Sequence, residues 1–135
     1  MPDDLGARIA ARAISHVGAP FRLHGRSMDG GFDCVGLAAD ALLHVGFTGA
    51  IPADYALRGR FEIALRAFFG QAAFAIASSP EAGDFVAAQT APRQLHLLIA
   101  TDGGFVHAHA GLRRVVLTPF PLSWPVIGRW RFIGD

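Results

Sequence analysis

Cysteine occurs once in these 135 residues, as Cys34. A single cysteine cannot close an intrachain disulfide, and it excludes a zinc site built from several thiolates. Charge is scarce too: 17% of the residues are charged and the formal net charge is +1, so bulk electrostatics give no reason to expect nucleic acid as a partner. No apolar run reaches the roughly 18 residues of a membrane-spanning helix, because Gly, Arg or Asp interrupts each one, and membrane insertion is not expected. The opening Met1-Pro2-Asp3-Asp4 is acidic where a secretory signal is basic, and no long apolar segment follows it. The expectation is synthesis in the cytoplasm and retention there, unless another machine or lysis releases the protein.

What the chain does have is apolar mass. Hydrophobic residues make up 52% of it, which argues for a dense core and leaves apolar surface for docking on something larger. The length suits one domain, residues 1–135, around one core.

Asp3 or Asp4 can cap a first helix, in which Leu5, Ile9, Ala13 and Val17 recur at helical spacing; Gly18 stops it and Pro20 prevents continuation. From Phe21 to Phe32 the chain reads as one long loop, and a loop of that length in a compact domain is often functional. A second helix is expected from about Asp33 to His44, with Leu37 and Ala41 in one apolar line. Thr48 to Gly59 reads as irregular. A third helix from about Arg60 to Phe69 places Phe61, Leu65 and Phe68 at i, i+4 and i+7. The period then changes. Phe74–Ile76, Phe85–Ala88, Gln94–Ala100, Phe105–Ala110, Arg113–Thr118 and Arg129–Ile133 are strand candidates, with Thr101-Asp102-Gly103-Gly104 as a hairpin signal. Helices first and a meandering antiparallel sheet second define an α+β domain.

Cys34 falls where chemistry can be built. If the second helix begins near Asp33, Cys34 lies in its first turn, where unpaired backbone N–H groups and the helix dipole favour an anion. A thiolate is such an anion, so one reading is an activated nucleophile; the other is a small buried apolar residue. Asp33 itself reads as a helix cap or as a substrate contact. Six histidines are the next clue. His96 sits centrally in one strand candidate, and His107 and His109, two apart, share a face of the next. The hairpin between the strands lets His96 and His107 become neighbours, although nothing in the chain fixes the register. A thiol needs a base that later serves as an acid, and that base needs a polar partner to orient it. Cys34, His96 and His107 can fill those roles in that order. A satisfied core histidine at His96, and an exposed strand face at His107 and His109, are the alternatives.

Three blocks then carry a resemblance. Phe21-Arg22-Leu23-His24-Gly25 followed by Gly31-Phe32-Asp33-Cys34-Val35-Gly36-Leu37 looks like the Pro-Tyr-Arg … Asp-Cys-Ser-Gly-Leu block of the NlpC-type cell-wall peptidases. Pro80-Glu81-Ala82-Gly83-Asp84-Phe85-Val86 resembles their Pro-Gly-Asp-Leu-Val turn and strand. Leu95-His96-Leu97-Leu98-Ile99 and Gly104-Phe105-Val106-His107-Ala108 resemble the strands that carry their catalytic histidine and third polar residue. The resemblance implies a papain-like core with the catalytic Cys at a helix N-terminus. It implies Cys34 as nucleophile, His96 as base and acid, and His107 as orienter, with no cofactor and no metal. Phe21, Arg22, His24, Asp33 and His109 are the candidate substrate contacts. The implied substrate is the peptide stem of bacterial peptidoglycan, cut between D-glutamate, through its γ-carboxyl, and a diamino acid by way of a thioester. Within the family the chain looks most like short peptidases encoded with tail genes of phages and gene transfer agents, which implies tail proteins as partners and delivery to the wall in a particle. Phe21 stands where the family has tyrosine, Val35 where it has serine, and Leu97-Leu98 where it has Val-Gly.

Other readings compete. His96, His107 and His109 could supply three ligands to a hydrolytic metal. The same fold could serve as an inactive tail-assembly or wall-binding domain, or as a related thiol amidase or acyltransferase.

Overall fold

The computed structural model describes residues 4–52 and 61–135. Asp3, the stretch 53–59 and Arg60 lie outside the described residues, and with them one proposed cap, part of the irregular segment and the expected start of the third helix.

Helix α1 spans Leu5–Ser15, and the Asp4 carboxylate accepts the Ala7 N–H at 3.0 Å as its cap. Ile9 and Ala13 turn inward as their spacing predicts, but the helix ends before Val17, which is 42% exposed. Helix α2 spans Cys34–His44 and is buried along most of its length, so it forms the middle of the core. Asp40 ties the two helices together: Arg12 Nε donates to it at 2.9 Å, and His16 Nε2 lies 2.6 Å from it. Helix α3 spans Phe61–Phe69 and buries Phe61, Leu65 and Phe69. Phe69, rather than Phe68, faces furthest inward, because its ring stacks on Trp130 at 4.6 Å and 4°.

Between α1 and α2 the structure corrects the reading of one unbroken loop. Strands β1 (Arg26–Ser27) and β2 (Gly31–Phe32) form a small hairpin, with Gly31 at φ +106° where a side chain would be strained. The hairpin packs closely on α2. A Cβ on Gly36 would stand 1.8 Å from the Gly25 carbonyl oxygen, so only glycine lets the helix and this segment meet.

The remaining strands are β3 (Phe74–Ile76), β4 (Phe85–Ala91), β5 (Gln94–Thr101), β6 (Gly104–His109), β7 (Arg114–Thr118) and β8 (Val126–Phe132). They form an antiparallel sheet in the order β3-β8-β4-β5-β6-β7. Strands β4 to β7 follow the expected meander. β8 does not extend it: this strand returns across the sheet and inserts between β3 and β4. Arg131 fastens the insertion, its Nε donating to the buried Asp84 carboxylate at 2.8 Å.

Both faces of the sheet are covered. Leu95, Leu97 and Ile99 of β5 and Val106 and Ala108 of β6 pack against the helices. Val86, Ala88, Leu98, Ala100 and Phe105 make a second, smaller core on the opposite face, closed by Leu122 and Trp124 from the segment between β7 and β8. The architecture is the α+β arrangement the order of elements implied.

Gly36→Ala tests the contact on which the hairpin depends. Overpacking a tight contact costs about 1–3 kcal/mol. Urea unfolding of the variant should show a midpoint lowered by that amount at an unchanged slope, and a wild-type midpoint would show that the contact relaxes freely.

Candidate active site

The first residue to place is Asp33. It is the N-cap of α2, and its Oδ1 accepts the Gly36 N–H at 2.7 Å. Its Oδ2 accepts the His24 N–H, also at 2.7 Å. One carboxylate therefore satisfies a helix donor and a loop donor at once. Asp33 is fully buried with both oxygens engaged, as the helix-cap reading of it expects.

Cys34 follows as the first helical residue and is 3% exposed. It lines an open cleft of about 140 Å³ whose walls also include Phe21, His96, His109 and Trp124. The cleft brings Cys34 and His96 together from α2 and β5. It also receives Phe21 and His109, two of the proposed substrate contacts. It does not receive Arg22 or His24. Those two line a separate hollow with Arg26 and Ser27, because the Asp33 tie at His24 turns this part of the chain away from the thiol.

The histidines are joined as a chain. His96 Nε2 and His107 Nδ1 lie 2.7 Å apart, with the rings at 84°. His107 is fully buried, and its Nε2 lies 2.7 Å from Thr118 Oγ1. Trp124 covers both rings edge to face, at 6.1 Å from His96 and 5.9 Å from His107. His109 stands apart from this chain; its Nδ1 accepts the Leu112 N–H at 3.1 Å. The contact to His96 thus belongs to His107 and not to His109. It also works against a three-histidine metal centre, since His96 and His107 turn nitrogens toward each other and not toward a common point. Among the described residues no group of three His, Cys, Asp or Glu side chains is placed to hold a metal ion.

Sequence reasoning missed Thr118 and Trp124. Thr118 ends a strand that was anticipated, and only the β6–β7 register, Phe105 opposite Thr118, puts it on the His107 face. Trp124 sits in a proline-flanked segment with no periodic signal.

The electrostatics reverse one expectation. A helix N-terminus favours a thiolate, and hydrogen bonds from the backbone of Leu97, Val35 and Cys34 act in the same direction. Burial outweighs them, and with the nearby Asp33 charge it pushes the Cys34 thiol up to about 12. Burial and the neighbouring histidines pull His96 down from 6.5 to about 3, and burial with His109 pulls His107 down to about 4. At neutral pH the site therefore holds a thiol and two neutral imidazoles, not an ion pair. No hydrogen bond joins the thiol to His96 among the described residues, and His96 Nδ1 is the ring nitrogen left uncommitted. The protonation of unfolded imidazoles near 6.5 also sets the direction of the acid response. The stability contributed by these two histidines is complete above about 6.5 and falls as the pH drops toward their folded values of about 4 and about 3.

Alkylation reads this state directly. Iodoacetamide reacts with the thiolate, whose fraction rises about tenfold per pH unit below the thiol pKa. Its rate at Cys34 should climb steadily from about pH 7 to about pH 10 without levelling; a plateau near neutrality would mean a preformed thiolate.

No protein-family model and no curated protein sequence matches the chain. Solved structures do. NlpC1 from Trichomonas vaginalis superposes with a TM-score of 0.73 at 21% identity, covering 98% of this chain and 46% of that one. The NlpC/p60 domain of the peptidoglycan hydrolase SagA matches with a TM-score of 0.58 at 26% identity, over 84% of this chain and 88% of the domain. The peptidoglycan hydrolase RipB from Mycobacterium tuberculosis matches with a TM-score of 0.61 at 19% identity, over 97% of this chain and 65% of that one. The chain spans about half the length of the first two structures it matches, 46% and 48%. Three described helices on a six-stranded antiparallel sheet, with a cysteine opening the central helix, make this the papain-like fold of the NlpC/P60 domains.

Proposed function

We propose that this chain is a cysteine peptidase that cleaves an amide bond in the peptide stem of bacterial peptidoglycan. The observation that carries the reading is the Cys34–His96 cleft backed by the buried His96–His107 contact at 2.7 Å. Neighbours of the same fold that are named peptidoglycan hydrolases supply the substrate class.

The neutral resting state shapes the reaction. Cys34 Sγ attacks the scissile carbonyl as its proton passes to His96 Nδ1, so deprotonation accompanies attack. The S–C bond forms and the carbonyl π pair moves to oxygen. The backbone N–H groups of Cys34 and Val35, already turned to the sulfur, lie beside the developing oxyanion. Collapse breaks the C–N bond, His96 returns its proton to the leaving amine, and a thioester remains. Water then attacks the thioester carbonyl as His96 takes its proton, the C–S bond breaks to release the acid, and His96 returns the proton to Cys34 Sγ. His107 Nδ1 holds His96 in place at His96 Nε2 and transfers no proton to substrate.

Phe21 and Trp124 give the cleft an apolar rim, and His109 gives it a polar one. From the family resemblance we take the bond to be γ-D-glutamyl-diamino acid, and the route to the wall to be a phage-like particle. Mass spectrometry of the released muropeptides identifies the bond. Purified particles with or without the protein decide the route.

Digestion of purified peptidoglycan by wild type and Cys34→Ala is the primary test. The variant should release no stem fragments, and equal products from both would leave only an assembly or wall-binding role. His96→Ala should be as inactive as Cys34→Ala, and His107→Ala should lose less, because it orients without transferring protons.

The pH profile follows from the burial of His96. With its pKa drawn down from 6.5 to about 3, the base stays unprotonated as the pH falls through the ordinary imidazole range. Turnover should keep at least half of its neutral value at about pH 5.5, where an unperturbed imidazole would be roughly nine-tenths protonated. A steep loss centred near 6.5 would show an exposed base.

A further inference from the structure

The strand order decides what lies over the histidines. Strand β7 is an edge and β8 pairs with β4, so the chain that joins them crosses four strand spacings, about 19 Å at roughly 4.8 Å each. Residues 119–125 make that crossing, and the path from Thr118 to Val126 reaches about 28 Å when fully extended. The segment is therefore a short strap drawn across one face of the sheet. Its far end is fixed by the Pro125 carbonyl, which accepts the Gln89 N–H at 2.9 Å.

The face it crosses is the one that bears the histidines. Along β5, Leu95, Leu97 and Ile99 turn to the helices while Leu98 and Ala100 turn to the second core, and alternation puts His96 with the latter. The same alternation along β6 puts His107 with Phe105. The helices cover the opposite face, and here the strap supplies the cover through Leu122 and Trp124. Trp124 stands nearly perpendicular to both imidazoles, at 85° and 86°. Among the described residues it is the aromatic ring from outside β5 and β6 that touches both.

His96 is only half-buried, so its access to water depends on few neighbours. The titratable groups around it are Cys34 from α2 and His107 and His109 from β6, and β4 presents Ala88 opposite it. None of these offers a negative charge to an imidazolium, so water is what would stabilise one. Burial already draws both rings below the ordinary imidazole range.

We propose that Trp124 is a positioning residue that acts through His96: its indole keeps water off the His96–His107 pair, holds the base uncharged, and so sets how far into acid the enzyme works. This rests on the cysteine-peptidase reading and adds to it a residue from outside the strands that carry the machinery. A cation–π attraction between the indole and an imidazolium would act in the opposite direction, so the sign of the effect decides between them. Trp124 also lines the cleft, and a titration without substrate separates the shield from any contact made there.

Ring-nitrogen NMR of 15N-histidine-labelled protein supplies that titration. In wild type, His96 should stay unprotonated down to about pH 4.5. Trp124→Ala should take up the proton at least about one pH unit higher than wild type, a tenfold gain in proton affinity. Trp124→Phe keeps an apolar ring on the strap and should stay within about half a unit of wild type. The acid limb of the kcat profile should move with the midpoint in each variant. Trp124→Leu, which keeps the second core plugged but is too short to span both rings, carries the alanine expectation if the alanine variant does not fold. An unchanged or lowered midpoint in these truncations would overturn the proposal, as would a phenylalanine variant shifted as far as alanine. A Cys34→Ala variant as active as wild type would instead sink the peptidase reading and leave the titration where it was, so the two failures are distinct.

Discussion

The buried carboxylate of Asp33 is the interaction on which the rest of the site depends. Its two oxygens accept from Gly36 N–H at the start of α2 and from His24 N–H in the preceding segment. Losing a helix cap alone costs roughly 1 kcal/mol, but Asp33 does more than cap. It fixes where α2 begins, and so fixes the first-turn position of Cys34. It also pulls the segment at residues 21–32 against α2, where the absence of a Cβ on Gly36 lets the two backbones meet. The same tie turns Arg22 and His24 away from the thiol and leaves Phe21 to form the wall beside it.

Desolvation governs the chemistry that this frame supports. The helix N-terminus and three backbone hydrogen bonds all favour a charged sulfur, and burial still wins. The same burial keeps His96 and His107 neutral. A thiolate–imidazolium pair would have to be stabilised in a low-dielectric pocket whose orienting partner is itself an uncharged ring. The site instead keeps charge out of the resting state and lets it arise only as bonds change. That places the weight on geometry: the neutral rings must already hold their hydrogens on the right atoms.

Much of this was legible in the residues. Asp33 before a helical apolar run marked the start of α2, and Cys34, His96 and His107 were singled out as the residues that the cleft and the His96–His107 contact bring together. Two strands joined by Thr101-Asp102-Gly103-Gly104 marked the hairpin that brings the histidines together. What could not be read is what depends on contacts distant in sequence. The choice of His107 over His109 as partner to His96 rests on side-chain geometry, since both lie on one face of β6. The protonation state of Cys34 depends on how thoroughly β5 and the helices exclude water, which no local signal carries. Asp33 was recognisable as a cap, but its second oxygen is taken by a residue nine positions earlier. The insertion of β8 leaves no trace in spacing, because its neighbours β3 and β4 lie far back along the chain.

That insertion has a consequence for how the molecule comes into being. Strands β4 to β7 are joined by short turns and can pair as soon as they are made, so the two histidine strands can find each other early. β3 cannot join them until Val126–Phe132 has been synthesised and has slotted in between. Until then Phe69 lacks its stacking partner Trp130, and Asp84 lacks the guanidinium of Arg131. β8 thus closes the sheet, and until it is made β4 keeps an unpaired edge and the aromatic core stays open. Chain growth up to β8 leaves a hairpin stack carrying the histidines, and β8 joins β3 to it.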